Sequence, residues 1–221
     1  MKETKQAARR RAAEIVEILR ERYPNAECSL EAGADPWRLL VMARLSAQCT
    51  DERVNIVSRE LFDALPTPQA MAQASQEQVE ELIKPCGLYR GKAKSIREAS
   101  RILCEEYGGR VPDTMEELLA LPGVGRKIAN LILGDVYGKG GIVADTHCMR
   151  ICGRLGFYPA GKKDPLLTER VMDALIERSE QSAFCHRLVL FGRDVCTARS
   201  PDCGACPLRG LCRYIPKDEI A

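Results

Sequence analysis

Apolar residues along this chain recur every three or four positions, the spacing that lines one face of a helix. Ala12, Ile15, Val16 and Leu19 form such a stripe in the first segment, which Pro24 ends. An apolar stretch rich in helix formers covers 37–48. Asp51 is then expected to cap a helix carrying Val54, Val57, Leu61 and Phe62, which stops before Pro66. Ser75 followed by Gln78 resembles a capping box for a helix ending near Lys84. A longer helix is expected over 90–107, closed by Gly108 and Gly109. Further helices fit 114–120, 125–137, 146–155, 166–177 and 185–195. No segment alternates with the period of a strand, and no tandem repeat or low-complexity linker intervenes. The pattern predicts an all-α fold.

With 221 residues and 45% hydrophobic content, the chain can bury the core of one large domain or two small ones. No apolar run is long enough to span a bilayer, so no membrane partner is expected. The first twenty residues are charged and helical, without the apolar centre or cleavage site of a signal peptide. A cytoplasmic location is expected, nucleoid-associated if the source is bacterial. The net charge of +2 says little by itself. Its distribution says more, because Lys84, Arg90, Lys92, Lys94 and Arg97 precede any acid until Glu98. Arg126, Lys127, Arg150, Arg154, Lys162 and Lys163 form looser groups. Basic faces of this kind suit a polyanion, although they also describe ordinary solvated helix surfaces. Seven of the eleven cysteines (Cys28, Cys49, Cys86, Cys104, Cys148, Cys152 and Cys185) are scattered, mostly in apolar surroundings. They read as small buried side chains in a reducing compartment rather than a disulfide framework.

The other four cysteines carry chemistry. Cys196, Cys203, Cys206 and Cys212 are spaced C-x6-C-x2-C-x5-C on a loop containing Gly and Pro. Four thiolates on so short a loop can close around one metal centre, and the spacing leaves both a tetrahedral zinc and an iron–sulfur cluster open. Arg199 and Arg209 are expected nearby, where they would offset thiolate charge.

A second feature is LPGVGRK at 121–127, set between two apolar helical stretches. Pro122 stops the first helix. Gly123 and Gly125 permit a tight turn with positive φ or close backbone approach. The N–H groups that open the next helix can then hold a phosphate oxygen. This is a helix–hairpin–helix reader of the DNA backbone; a plain turn between helices is the alternative. Lys127 falls in the first turn, where the positive helix end disfavours its ammonium form and burial would add to that effect. Such an amine can attack a sugar C1′ and form a Schiff base, or it can simply hold a phosphate. In VADTH at 143–147, Asp145 precedes a helix as an N-cap does. Its carboxylate could also stabilise positive charge developing at C1′.

Taken together, LSAQCTD at 45–51, GLYRGKA at 87–93, LPGVGRK, VADTH and the four-cysteine loop resemble the endonuclease III family of helix–hairpin–helix DNA glycosylases. The resemblance runs along nearly the whole chain. It implies a six-helix barrel lobe with the helix–hairpin–helix over 29–139. A discontinuous cluster lobe would take 1–28 and 140–221, with the iron–sulfur loop at 196–212. It implies a 4Fe-4S cluster rather than zinc. Lys127 matches the family's nucleophile and Asp145 its catalytic carboxylate. Gln48 and Leu88 match residues that fill the gap left by a flipped nucleotide; on their own they read as helix-surface and loop residues. Gly123, Gly125 and Arg126 match the backbone-binding hairpin, and His147 a residue near the lesion strand. The implied activity is bifunctional: removal of oxidised pyrimidines from duplex DNA, then β-elimination at the abasic site, by a monomer. Two departures stand out. Cys49 sits where a small Ala is common, and Ile128 where Thr is common. An adenine- or thymine-mismatch glycosylase of the same superfamily is the nearest rival, but such relatives lack a lysine at the position of Lys127. A non-enzymatic DNA-binding or redox-sensing module is the rival from another class, and the pair Lys127 and Asp145 argues against it.

Overall fold

The computed structural model describes residues 3–214. Among these, eleven α-helices and three 3-10 turns form, and no strand. The helices are α1 (Lys5–Arg22), α2 (Pro36–Leu45), α3 (Asp51–Ala64), α4 (Pro68–Gln73), α5 (Gln76–Ile83), α6 (Tyr89–Tyr107), α7 (Met115–Ala120), α8 (Arg126–Asp135), α9 (Thr146–Arg154), α10 (Pro165–Asp173) and α11 (Gln181–Asp194).

Local chemistry explains most helix starts. Thr4, Asp35, Thr50, Thr67, Ser75, Thr114, Asp145 and Asp164 each accept a first-turn backbone N–H through the side chain. Each satisfies a donor the helix cannot, a contribution of about 1 kcal/mol. Pro36, Pro68 and Pro165 follow three of these caps, where the missing N–H costs nothing. The cap of α3 is Thr50 and not Asp51, which is already helical and favours the positive helix end by its charge. Helix α4, with only Met71 buried, has no period from which to infer it. The stretch expected as helix to 48 stops at Leu45, because Gln48 takes a left-handed backbone.

The chain divides into two compact units, Cys28–Gly138 and the combination of Met1–Glu27 with Lys139–Ala221. In the first, α2 is buried on nearly every side, from Trp37 and Leu39 to Leu45, and it touches α3, α6 and α8. A helix apolar all round belongs at the centre of a unit, and the others turn one stripe towards it. Val54, Val57 and Leu61 of α3, Ile96, Ala99 and Leu103 of α6, and Ala129 and Ile132 of α8 supply those stripes. The indole N–H of Trp37 donates to Ser100 Oγ at 3.0 Å, so the largest ring in the core leaves no donor unmet. In the second unit, Ala12, Ile15 and Leu19 of α1 and Phe184, Leu188 and Phe191 of α11 are buried where those helices meet, and α9 touches α10 and α11.

Several polar expectations change. Lys92 and Arg97 do not belong to a basic surface: Lys92 is 1% exposed, and Arg97 Nε donates to the Ala74 carbonyl at 2.8 Å. Arg150 and Arg154 also turn inward, as described below. Of the scattered cysteines, Cys86, Cys148, Cys152 and Cys185 are buried, whereas Cys28, Cys49 and Cys104 are half-buried. No described helix is long and apolar enough to cross a membrane.

Candidate active site and iron–sulfur loop

The hairpin between α7 and α8 contains two glycines with different reasons to be there. Gly123 has φ +80°, and a Cβ on it would lie 2.6 Å from Arg44 Nε and 2.8 Å from Ser95 Cβ. Backbone conformation and packing both require glycine. Gly125, the N-cap of α8, has φ −101°, and a Cβ there would meet nothing within 4 Å. Neither strain nor crowding inside the protein demands glycine at 125; what it provides is an open approach to the backbone. It also provides no side-chain acceptor, so the first turn of α8 begins without a side-chain cap. Amides left in this state at the positive end of a helix are a site for an anion. Arg126 and Lys127 follow immediately and are exposed. The burial expected for Lys127 is therefore not found: the first turn of α8 presents that side chain outward, and only Ala129 and Asn130 onward face the core.

In the other unit, Asp145 caps α9, its Oδ1 accepting the Cys148 N–H at 2.7 Å. The cap uses one carboxylate oxygen and leaves Oδ2 outside it. The residues leading in, from Gly141 to Ala144, are buried, and Asp145 itself is half-buried. His147, in the first turn of α9, is half-buried with Nδ1 3.2 Å from Arg150 Nη2. Arg150 also donates to the carbonyls of Gly192 and Cys196 at 3.2 and 3.0 Å. These contacts depend on Gly192, where a Cβ would lie 2.3 Å from His147 Nδ1. Sequence reasoning missed Gly192; the available signal was a glycine within an apolar helical stretch, a common mark of close approach.

Gln48 and Leu88 lie in turns and not on regular helix surface. Gln48 is exposed at φ 56°, and Leu88 is 63% exposed at φ 48°. Among the described residues they are the only non-glycine positions with positive φ. A bulky leucine held both left-handed and in water pays twice, a combination that points to function. No periodicity or composition could have shown it.

The four cysteines of 196–212 line one small apolar cavity with Ile151, Leu155, Phe191, Val195, Leu208 and Tyr214. Leu208 is fully buried and anchors the loop. Asp202 braces it, with Oδ1 accepting the Ala205 N–H at 3.1 Å. Burial pushes the Cys206 thiol up, and the three neighbouring thiols push it the same way. Cys203 is likewise raised by burial and by Cys196 and Cys212, although Arg209 opposes this. Four thiols so crowded become thiolates together only around a cationic centre. Among the described residues, no three His, Cys, Asp or Glu side chains converge closely enough to hold a single metal ion. The four thiols share the lining of one apolar cavity, so one centre can draw on all of them. Arg154 places Nη1 3.3 Å from Cys196 Sγ and donates to the Thr197 carbonyl at 2.7 Å. Arg199 is exposed, and Arg154 joins Arg209 in offsetting thiolate charge at the loop.

Residues 41–178 match the model of the HhH-GPD superfamily of base excision DNA repair proteins, and 196–212 match the iron–sulfur binding domain of endonuclease III. Endonuclease III of Synechocystis sp. is 46% identical over 205 residues, covering 92% of each chain. The chain belongs to the endonuclease III family. A solved non-covalent endonuclease III–DNA complex superposes with TM-score 0.86 at 38% identity, covering 96% of both chains. A trapped endonuclease III–DNA covalent intermediate, an estranged-adenine complex, does so with TM-score 0.85 at 39% identity, covering 96% of this chain and 97% of that one. As a member of the family, the protein is a DNA glycosylase and abasic-site lyase of base excision repair with the helix–hairpin–helix fold. Its cofactor is a 4Fe-4S cluster, which Cys196, Cys203, Cys206 and Cys212 fit as ligands.

Proposed function

We propose that this member of the endonuclease III family removes oxidised pyrimidines from duplex DNA and cleaves the abasic product through a Schiff base on Lys127, acting as a monomer. The observation that carries this reading is the start of α8. An uncapped helix end with an open backbone approach at Gly125 is followed two residues later by an exposed primary amine. A phosphate held by those amides would set the amine beside the sugar next to it.

The chemistry follows from that placement. Lys127 Nζ, in its neutral form, attacks C1′ as the bond from C1′ to the base breaks and the base leaves with a proton. Ring opening gives an imine between Nζ and C1′. Loss of a C2′ proton then expels the 3′ phosphate by β-elimination, and water hydrolyses the imine to free the lysine. Asp145 would stabilise the cationic character at C1′ through the oxygen its cap does not use. Gln48 and Leu88 would fill the stack after the nucleotide leaves it. His147 would lie near the lesion strand, and Gly123, Gly125 and Arg126 would hold the backbone. Cys196, Cys203, Cys206 and Cys212 would hold the cluster, which would supply a positively charged core for their thiolates, and Arg150 and Arg154 tie the loop to α9.

Borohydride added during turnover on a duplex with one oxidised pyrimidine tests the covalent step. Trapping of the chain on DNA, mapped to Lys127 and lost in Lys127→Ala with binding retained, is the expected result. Trapping that survives Lys127→Ala would place the nucleophile elsewhere. A panel of defined lesions tests the substrate class, and sedimentation with and without DNA tests the monomer.

A further inference from the structure

Lys92, only 1% exposed, is among the largest fully buried side chains of the described residues. Its Nζ donates to the carbonyl of Leu45 at 2.8 Å and to that of Cys86 at 2.9 Å. Burial lowers its pKa, and nearby Arg44 acts in the same direction. A methionine or leucine would fill the space without taking an amine out of water, so packing alone does not account for a lysine.

The two acceptors do. Leu45 ends α2, and Cys86 ends the 3-10 turn Lys84–Cys86. Both are helix-end carbonyls without an onward partner in their own helix, where a cation is favoured. One amine thus closes two helix ends that lie far apart in sequence. Gln48 follows the first end by three residues and Leu88 follows the second by two, and these are the left-handed residues described above. The Lys92 backbone adds a third tie, its N–H donating to the Leu88 carbonyl at 3.2 Å. The network then extends to the hairpin. Ser95 Oγ donates to the Lys92 carbonyl at 2.9 Å, and Arg44 Nε donates to Ser95 Oγ at 2.9 Å. Arg44 and Ser95 are the groups that leave no room for a side chain at Gly123.

We propose that Lys92 is a positioning residue for damage recognition: its buried amine fixes the turns of Gln48 and Leu88 at one separation, so that the two act as a unit. The proposal rests on the gap-filling reading of Gln48 and Leu88. It gives the GLYRGKA motif a role for its lysine that contact with DNA cannot supply, since the side chain is out of reach.

The test uses the cluster-loaded protein and two duplexes, one with a tetrahydrofuran abasic-site analogue and one undamaged. The quantity read is the ratio of the two affinities, well below the melting temperature of every variant. A lysine that only stabilises the fold would lower the melting temperature and leave this ratio alone. Lys92→Met is expected to lower the ratio about tenfold, the size of effect that follows loss of one or two buried hydrogen bonds. In combination with Leu88→Ala it should cost little more than the worse single change, as coupled positions do. If Leu88→Ala and Gln48→Ala lower the ratio while Lys92→Met does not, or if the losses of Lys92→Met and Leu88→Ala add, the proposal is overturned and gap filling stands. If Leu88→Ala and Gln48→Ala both leave the ratio unchanged, the gap-filling reading fails and takes this proposal with it. Should Lys92→Met not fold, amide exchange reads the coupling without touching Lys92. Leu88→Ala should then reduce the protection that 46–49 gain on the abasic duplex. Full protection there would overturn the coupling.

Discussion

Helix α8 begins with Gly125 and helix α9 with Asp145, and the two starts leave their first-turn amides in different states. At α9 a carboxylate from the chain itself accepts the Cys148 N–H. At α8 the N-cap Gly125 offers no side-chain acceptor, and the space beside it is open. The difference costs the fold little, since glycine is only a few tenths of a kcal/mol worse than Asp or Ser as an N-cap. A chain can therefore leave a helix end free for an external anion at small expense, whereas a closed end is already satisfied. Each start carries one of the groups assigned to catalysis, and each suits its group. Open amides beside Lys127 bring phosphate to an amine, and a half-used carboxylate at 145 keeps its charge in a fixed place. Two lysines of the first unit, Lys127 and Lys92, repeat the contrast. Lys127 is exposed and available for covalent chemistry, while Lys92 is buried and bonded to carbonyls.

The sharpest way to break the comparison is to ask whether Asp145 is a cap alone. Asparagine caps as well as aspartate, so Asp145→Asn should leave stability within about 0.5 kcal/mol. Turnover on a lesion duplex should fall about 100-fold or more, the low end of what a positioned acid or base contributes. Unchanged single-turnover rates would leave only the capping role. The next largest effect is on stability. Gly123→Ala must adopt a left-handed φ and displace Arg44 or Ser95, and should cost ~1–3 kcal/mol in chemical denaturation. An unperturbed melting curve would mean the hairpin is not tied to Arg44 and Ser95 as described. Gly125→Asp converts the α8 start into one like that of α9. It should hold or slightly raise the melting temperature, yet weaken binding to undamaged duplex about tenfold at low salt by closing the amides and repelling phosphate. Wild-type affinity in that variant would remove the α8 start from the DNA interface. Gly125→Ala should do least, changing stability by under about 1 kcal/mol while adding no charge against phosphate.

How much of this could be read before the structure depends on the range of the interaction involved. The helical class, the capping role of Ser75, the helix closed by Gly108 and Gly109, and the hairpin at 121–127 all rest on residues within a turn or two of each other. Errors arose where a neighbour of the right chemistry stood one position away, as with Asp51 beside Thr50. They also arose where an element was too short to show a period, as with 68–73. The cysteine loop was legible because its four ligands lie within one short segment. The spacing left zinc open, and what told against it is the match of 196–212 to the iron–sulfur binding domain of endonuclease III.

What the sequence by itself determined is therefore local: helix periodicity, most caps, and the order of the motifs that mark the family. Only the tertiary structure decided that Lys92 and Arg97 point inward and that Arg154 meets a cysteine sulfur. It alone showed that Gly125 faces open space while Gly123 faces Arg44, and that Gln48 and Leu88 are left-handed. The physical reason is common to all of these. A side chain's direction and a backbone's strained φ are set by partners far along the chain. Lys92 acquires its role from carbonyls at Leu45 and Cys86, which no window around position 92 brings together.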